Sequence, residues 1–341
     1  NWLILINLLK WSGCPGCRTI RRLSCLSKTE TIKTYFMRFN FLLILILVSL
    51  TASATDSLSF TQTEIIYGRK DGMALTMMML TPKQKANGKA IISVLNGNWV
   101  SAPRMMEMFL VRSNLYLESG YTLFGVMVGS QPQYAIPDQI NDLKRAVRFI
   151  RYNAKEYSID ADKIGITGSS SGGHLSLMIA TADETVNARS TDPVDKVSSR
   201  VQAAAVFYPP TDFINYGRTN TTETINQAGL VLTKVAAAFD FKVWNDTTAT
   251  FVSITDIKKR LAIAKEISPI NSVSSDDPPV ILIHGDKDVL VPKQQSESIF
   301  EKFKEAKVIC SLIIKEGGSH GWRNREVEEK NFVDWFDKYL K

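Results

Sequence analysis

From residue 60 onward the chain alternates short, continuously apolar runs with segments whose apolar positions recur at helical spacing. The runs predict eight strands: Glu64–Tyr67, Leu75–Leu80, Ala90–Leu95, Thr122–Val128, Lys163–Thr167, Gln202–Phe207, Pro279–His284 and Val308–Ile314. From the third onward they are apolar on both faces, as parallel strands covered on both sides are. Ile140, Leu143, Val147 and Ile150 fall at three- and four-residue intervals after Pro137, a favourable first residue for a helix. Ile299, Phe300 and Phe303 mark another helix, and Phe332, Trp335, Phe336 and Leu340 mark the last. The alternation predicts a three-layer α/β sandwich on a mostly parallel eight-stranded sheet. Only Pro210 to Ile267 breaks it, with Thr/Asn-rich turns, two modest apolar segments (Leu230–Phe241 and Ile257–Ile267) and no clear strand. A long insertion between core strands is expected to act as a cap over the C-terminal strand ends, here at about 211–267.

The first 54 residues read as an address. Met37-Arg38-Phe39-Asn40 is a short positive segment, Phe41–Leu50 a ten-residue apolar core, and Ala52-Ser53-Ala54 a small-x-small cleavage pattern. Ten apolar residues are too few to span a bilayer, and no cysteine follows for lipid attachment, so no stable membrane anchor is expected. This predicts a signal peptide at about 37–54, a secreted or periplasmic protein, and a mature domain over 55–341. Residues 1–36 are expected to be an upstream extension without a fold. They hold Cys14, Cys17 and Cys25, but Cys14-Pro-Gly-Cys17 lacks the strand–helix context of a redox motif. The mature domain keeps only Cys310, so it has no internal disulfide.

Charge follows the same division. The chain of 341 residues carries a formal +7, which would suit a nucleic-acid partner. Residues 1–54, however, hold seven Lys/Arg against one acid, Glu30, and the remaining 34 basic and 33 acidic residues leave only +1. A nucleic-acid partner is therefore not expected. Nor is a metal or organic cofactor, since the mature chain has no clustered His/Cys ligand set.

The chemistry concentrates in Gly168-Ser-Ser170-Ser-Gly172, a G-x-S-x-G that follows a predicted strand and precedes a helical segment. That is the context of a nucleophile elbow, in which the turn is so tight that only glycine fits on either side. Ser170 is the expected nucleophile, and the Ser171 N–H, at the start of the helix, the expected donor to a developing oxyanion. Of the three histidines, His174 lies too close to Ser170 in sequence to swing over it and is expected to be structural. His284 ends a buried strand and is expected to fix the following loop. His320 sits in Glu316-Gly-Gly-Ser-His320-Gly-Trp322 after the last strand, where a base can reach across the strand ends. The carboxylate should follow the preceding strand, in His284-Gly-Asp286-Lys-Asp288-Val-Leu-Val291. Asp288, deeper in the turn and flanked by Val289 and Val291, is favoured over Asp286, a turn residue. The order Ser170, Asp288, His320 is that of α/β-hydrolases.

Over about residues 64–341 the chain resembles the secreted esterase branch of the α/β-hydrolase superfamily, near hormone-sensitive-lipase-like, acetyl- and feruloyl-esterase-like proteins. The likeness rests on Tyr67-Gly-Arg-Lys-Asp-Gly72, Ile159-Asp160-Ala-Asp162-Lys-Ile-Gly165, Ser171-Gly-Gly-His-Leu175, Ile267-Ser-Pro269, Pro278-Pro-Val280 and His284-Gly-x-x-Asp288-x-x-Val291-Pro292. It implies hydrolysis of short-chain or carbohydrate-linked carboxylic esters through an acyl-enzyme, without a cofactor. It also implies that Gly97 and Asn98, in Leu95-Asn-Gly-Asn-Trp99 where such esterases carry H-G-G-G-W, complete the oxyanion hole. The Asn in place of a glycine is a departure, although Asn tolerates positive φ better than most residues. Trp99 and Trp322 are expected either to wall a compact substrate pocket or to belong to the core. Two rivals are a prolyl-oligopeptidase-type peptidase and a non-catalytic ligand-binding relative. The first usually carries a propeller before the hydrolase domain, and the second conflicts with three filled catalytic positions.

Overall fold

The computed structural model describes residues 59–183, 186–217, 230–231 and 233–341. The expected extension, signal peptide and Cys14-x-x-Cys17 lie outside the described residues, as does part of the insertion. Residues 59–341 form one compact unit.

All eight expected strands are present and share one sheet. In chain order they are β1 (Phe60–Lys70), β2 (Met73–Pro82), β3 (Ala90–Val94), β4 (Thr122–Val126), β5 (Ile164–Ser169), β6 (Ala203–Phe207), β9 (Val280–Gly285) and β10 (Cys310–Lys315). Their spatial order is β1-β2-β4-β3-β5-β6-β9-β10. β1 and β2 pair antiparallel with each other and β2 with β4, while the six from β4 to β10 run parallel. Two further strands, β7 (Lys242–Asn245) and β8 (Thr250–Ser253), form a separate antiparallel hairpin inside the insertion, where no strand was expected.

Alternation along the parallel strands sends side chains into two cores. Ala204, Val206, Val280 and Leu282 face one core, which is closed by helices α3 (Ile136–Tyr152), α4 (Ser171–Ala180) and α6 (Gln294–Glu305). Ala203, Ala205, Ile281 and Ile283 face the other, closed by α1 (Pro103–Arg112), α2 (Asn114–Glu118) and α7 (Glu326–Tyr339). Helix α3 begins as expected: Pro137 occupies its first turn, and the Asp138 carboxylate accepts the Ala135 N–H at 3.0 Å. Its residues Ile140, Leu143, Val147 and Ile150 are buried. A further helix, α5 (Ile257–Glu266), ends the insertion. Among the described residues no helix is long and apolar enough to cross a membrane.

Parallel pairing aligns the strand ends. Val94 stands opposite Gly168 and Ser169 opposite Phe207, so the segments that follow β3, β5, β6, β9 and β10 emerge at one edge of the sheet. Ligands of open parallel sheets bind at that edge.

Candidate active site

Ser170 occupies the turn between β5 and α4 with φ 54° and ψ −123°, a conformation that L side chains rarely adopt. The surroundings enforce it. A Cβ on Gly168 would lie 2.4 Å from the Gly172 backbone, and one on Gly172 would lie 2.7 Å from the Val94 carbonyl oxygen. The Ser170 N–H is tied to the Phe207 carbonyl at 3.0 Å, and the Ser170 carbonyl accepts the His174 N–H at 2.8 Å. The strand–turn–helix is thus locked from both neighbouring strands.

His320 reaches this serine from the loop after β10. Its Nε2 lies 3.0 Å from Ser170 Oγ, and its Nδ1 lies 2.8 Å from Asp288 Oδ2. A carboxylate can only accept, so the Nδ1 proton points at Asp288 and the Nε2 lone pair at the serine hydroxyl. Asp288 is almost fully buried, and its other oxygen accepts the N–H groups of Leu290 and Val291, both at 2.9 Å. Burial alone would raise this carboxyl. Hydrogen bonds from His284, His320 and the Val291 N–H outweigh it and hold the carboxyl well below the usual range. The two loops interlock where Gly285 meets Gly318: a Cβ on Gly285 would lie 2.2 Å from the Gly318 oxygen, which also accepts the Lys287 N–H at 2.8 Å. Asp286 plays a different part. Its N–H is bound to the Lys315 carbonyl at 3.0 Å, and its carboxylate lies 3.7 Å from Lys287 Nζ.

The other two histidines are buried braces. His284 lies 2.7 Å from Ser296 Oγ through Nδ1 and 2.8 Å from the Val291 carbonyl through Nε2, which fixes the Asp288 loop from behind. His174 donates from Nε2 to the Ile267 carbonyl at 2.7 Å and accepts the Trp99 indole N–H at 3.3 Å. Burial pushes its imidazole down to about 4.

Beside Ser170, the turn after β3 contains two successive residues in the left-handed region, Asn98 at φ 54° and Trp99 at φ 56°. Their carbonyls are pinned by Gln131 Nε2 at 2.6 Å and Gln139 Nε2 at 2.9 Å, respectively. The Gly97 N–H is committed to the Val100 carbonyl at 3.0 Å. It therefore closes the turn instead of presenting a free donor, contrary to the expectation from sequence. Asn98 remains, and so does Ser171, which as the first residue of α4 has no acceptor for its N–H within the helix. The Ser171 hydroxyl donates to Asn96 Oδ1 at 2.8 Å and ties the two turns together.

Ser170 and His320 open into a cavity of about 600 Å³, also lined by Asn98, Met105, Tyr208 and Trp322. Residues 77–303 match the BD-FAE family model, a span that includes Ser170 and Asp288 and stops short of His320. The chain belongs to the BD-FAE family. It is 28% identical over 215 residues to the "Probable carboxylic ester hydrolase LipM" of Mycobacterium tuberculosis (strain ATCC 25618 / H37Rv), covering 63% of this chain and 44% of that protein. It is 27% identical over 228 residues to the esterase LipQ of the same organism, covering 67% and 48%. The chain thus spans about half the length of the curated relatives it matches. A solved structure described as a truncated carbohydrate esterase from gut microbiota superposes with a TM-score of 0.65 at 25% identity, covering 83% of this chain and 97% of that one. The fold is that of α/β-hydrolase esterases.

In this BD-FAE domain the two tryptophans take the two alternatives left open by the sequence. Trp322 lines the cavity, its ring edge-on to Phe207 and Tyr208. Trp99 does not. It is 6% exposed and packs against His174, Phe213 and Phe239 in the core, because the two left-handed residues turn its ring inward. Phe213 and Phe239 belong to the insertion, whose described residues brace the Trp99 turn and do not line the cavity. The outer wall comes from α1, through Arg104, Met105, Met108, Phe109 and Arg112. Sequence reasoning also missed Tyr208, whose ring packs at a tilt against His320 with centroids 4.7 Å apart, and Arg325, which donates to the Tyr208 hydroxyl at 2.8 Å. The only sequence signal for Tyr208 was its place just past a parallel strand.

Proposed function

We propose that this chain is an exported serine hydrolase of carboxylic esters with short-chain or carbohydrate-linked acyl groups. The observation that carries this reading is the contact of His320 with both Ser170 and Asp288, with Ser170 held on a strained elbow. In the reaction His320 Nε2 takes the Ser170 proton as Oγ attacks the ester carbonyl. The negative charge that develops on the carbonyl oxygen falls to the N–H groups of Ser171 and Asn98. His320 then protonates the departing alcohol, and a water repeats the sequence on the acyl-enzyme. Asp288 orients the ring and stabilises its charged form.

The esterase names of the relatives and of the carbohydrate esterase with the same fold support the substrate class. A cavity of about 600 Å³ suits a compact ester. Export rests on the signal-like segment at 37–54. The test is a panel of acetyl, butyryl and palmitoyl esters, acetylated oligosaccharides and a prolyl amide, each with the parent and Ser170→Ala. Turnover of the short or sugar-linked esters that disappears in Ser170→Ala is expected. Preference for palmitoyl esters would sink the short-acyl assignment, efficient amide cleavage would favour a peptidase, and activity surviving in Ser170→Ala would remove the serine from the mechanism.

A further inference from the structure

The cavity is lined by four arginines, Arg104 and Arg112 from α1 and Arg323 and Arg325 from the segment after His320, against a single acid, Glu329. That local excess of three positive charges sits in a domain whose residues 55–341 are nearly balanced as a whole, at 34 basic against 33 acidic. Glu329 is already engaged: it accepts the Tyr116 hydroxyl at 2.8 Å and lies 3.5 Å from Arg325. Arg104, Arg112 and Arg323 are exposed on the cavity and form no ion pair among the described residues.

Arg325 differs from the other three. It is 8% exposed, its guanidinium lies 4.5 Å from the centroid of the Phe207 ring, and it donates to Tyr208, the residue whose ring packs against His320. Its buried Nε has no hydrogen-bond partner among the described residues. A fixed guanidinium one contact away from the base, with further guanidinium groups at the mouth, is costly to assemble by mutual repulsion, and the single Glu329 carboxylate beside Arg325 offsets only one of the four charges. The forked, planar donor set of arginine matches a carboxylate in particular.

From this arrangement, and resting on the esterase reading above, we infer that the ester taken by this site carries a free carboxylate that the arginines of the cavity bind. The carboxylate belongs to one of two sources: the acyl group, as in a dicarboxylic half-ester, or the alcohol, as in an acylated uronic acid. Binding it orients the scissile carbonyl toward Ser170 and raises specificity for anionic esters over neutral ones of the same size.

Two matched pairs test this. 4-Nitrophenyl hemisuccinate against 4-nitrophenyl butyrate places the charge on the acyl side, and acetylated methyl glucuronoside against acetylated methyl glucoside places it on the alcohol side. In one pair, kcat/KM for the anionic member should exceed that of the neutral one by at least about tenfold, the scale of one charge-assisted hydrogen bond. The pair that responds identifies the source. In Arg112→Gln and Arg323→Gln that ratio should fall toward one, and because it is taken within each variant, a partial loss of folded protein cancels. Equal or weaker hydrolysis of the anionic member in both pairs would overturn the inference while leaving the esterase reading intact, as would a ratio that survives both substitutions. Failure of every ester in both pairs would instead remove the esterase reading itself.

Discussion

A serine hydroxyl is a poor nucleophile until a neighbouring base takes its proton, and the base serves only in one tautomer. Here that tautomer is set by two backbone donors. The N–H groups of Leu290 and Val291 both point at Asp288 Oδ1, leaving Oδ2 for His320. An Asn at this position would turn its carbonyl oxygen toward those N–H groups and its NH2 toward Nδ1. The ring would then carry its proton on Nε2, facing Ser170, where it cannot act as a base. Asp288→Asn should therefore lower kcat by on the order of 10⁴, the loss seen for the equivalent change in trypsin-type enzymes. Asp286→Asn should stay within a few-fold, because that side chain does not touch His320. Steady-state kinetics of both variants on one short ester decide it, and equal effects would leave the carboxylate unassigned. At this scale the sequence was legible wherever a residue's setting is local: glycines frame Ser170, and flanking valines mark Asp288. Arg325 and Tyr208 were opaque because their partnership spans 117 residues and only the folded sheet brings them together.

Elements were legible in proportion to how much of them is buried. The central strands β4, β6 and β9 show as continuous apolar runs because both their faces are covered. The edge strand β1 is largely exposed and shows only in its short apolar stretch. The hairpin β7–β8 does not, because nearly every residue in it is exposed and no inward face imposes alternation. Helix α1 buries only Phe109 and turns Arg104, Met105, Met108 and Arg112 to the cavity, so its apolar face is not the continuous stripe by which a helix is read. Between elements, His174 acts as a bolt that joins α4 to the Trp99 turn and to the carbonyl of Ile267, at the end of the insertion. The folded protein keeps this imidazole neutral down to about pH 4, whereas the unfolded chain protonates it near 6.5. Between those values the unfolded state binds more protons, so stability falls as pH drops from about 6.5 to about 4, by roughly 3 kcal/mol from this group. Urea-unfolding midpoints at pH 7 and pH 4 should show His174→Gln less stable at pH 7 and markedly less acid-sensitive than the parent. The same loss between the two pH values in both proteins would show that His174 is not the titrating bolt.

At the scale of the molecule, charge is unevenly placed along the chain. The strands and helices of residues 60–339 bury two apolar cores against one sheet, and residues 59–341 form a compact unit. The excess of positive charge lies before Thr55, where seven basic residues face one acid. The expectation of a cleavable signal at 37–54 rests on composition alone: a positive start, a short apolar core and small residues at −3 and −1. A chain beginning at Thr55 should therefore fold on its own, with a formal charge near +1 in place of +7. Its unfolding midpoint and its kcat/KM on short esters should equal those of the longer chain within about twofold, since Ser170, Asp288, His320 and the described residues that line the cavity all lie after residue 90. Expressed with residues 37–54 in a secreting host, the protein recovered from outside the cytoplasm should begin at Thr55 by intact-mass measurement. An exported protein that retains 37–54 would make that segment something other than a cleaved signal, and a chain from Thr55 that fails to fold would place the start of the domain upstream.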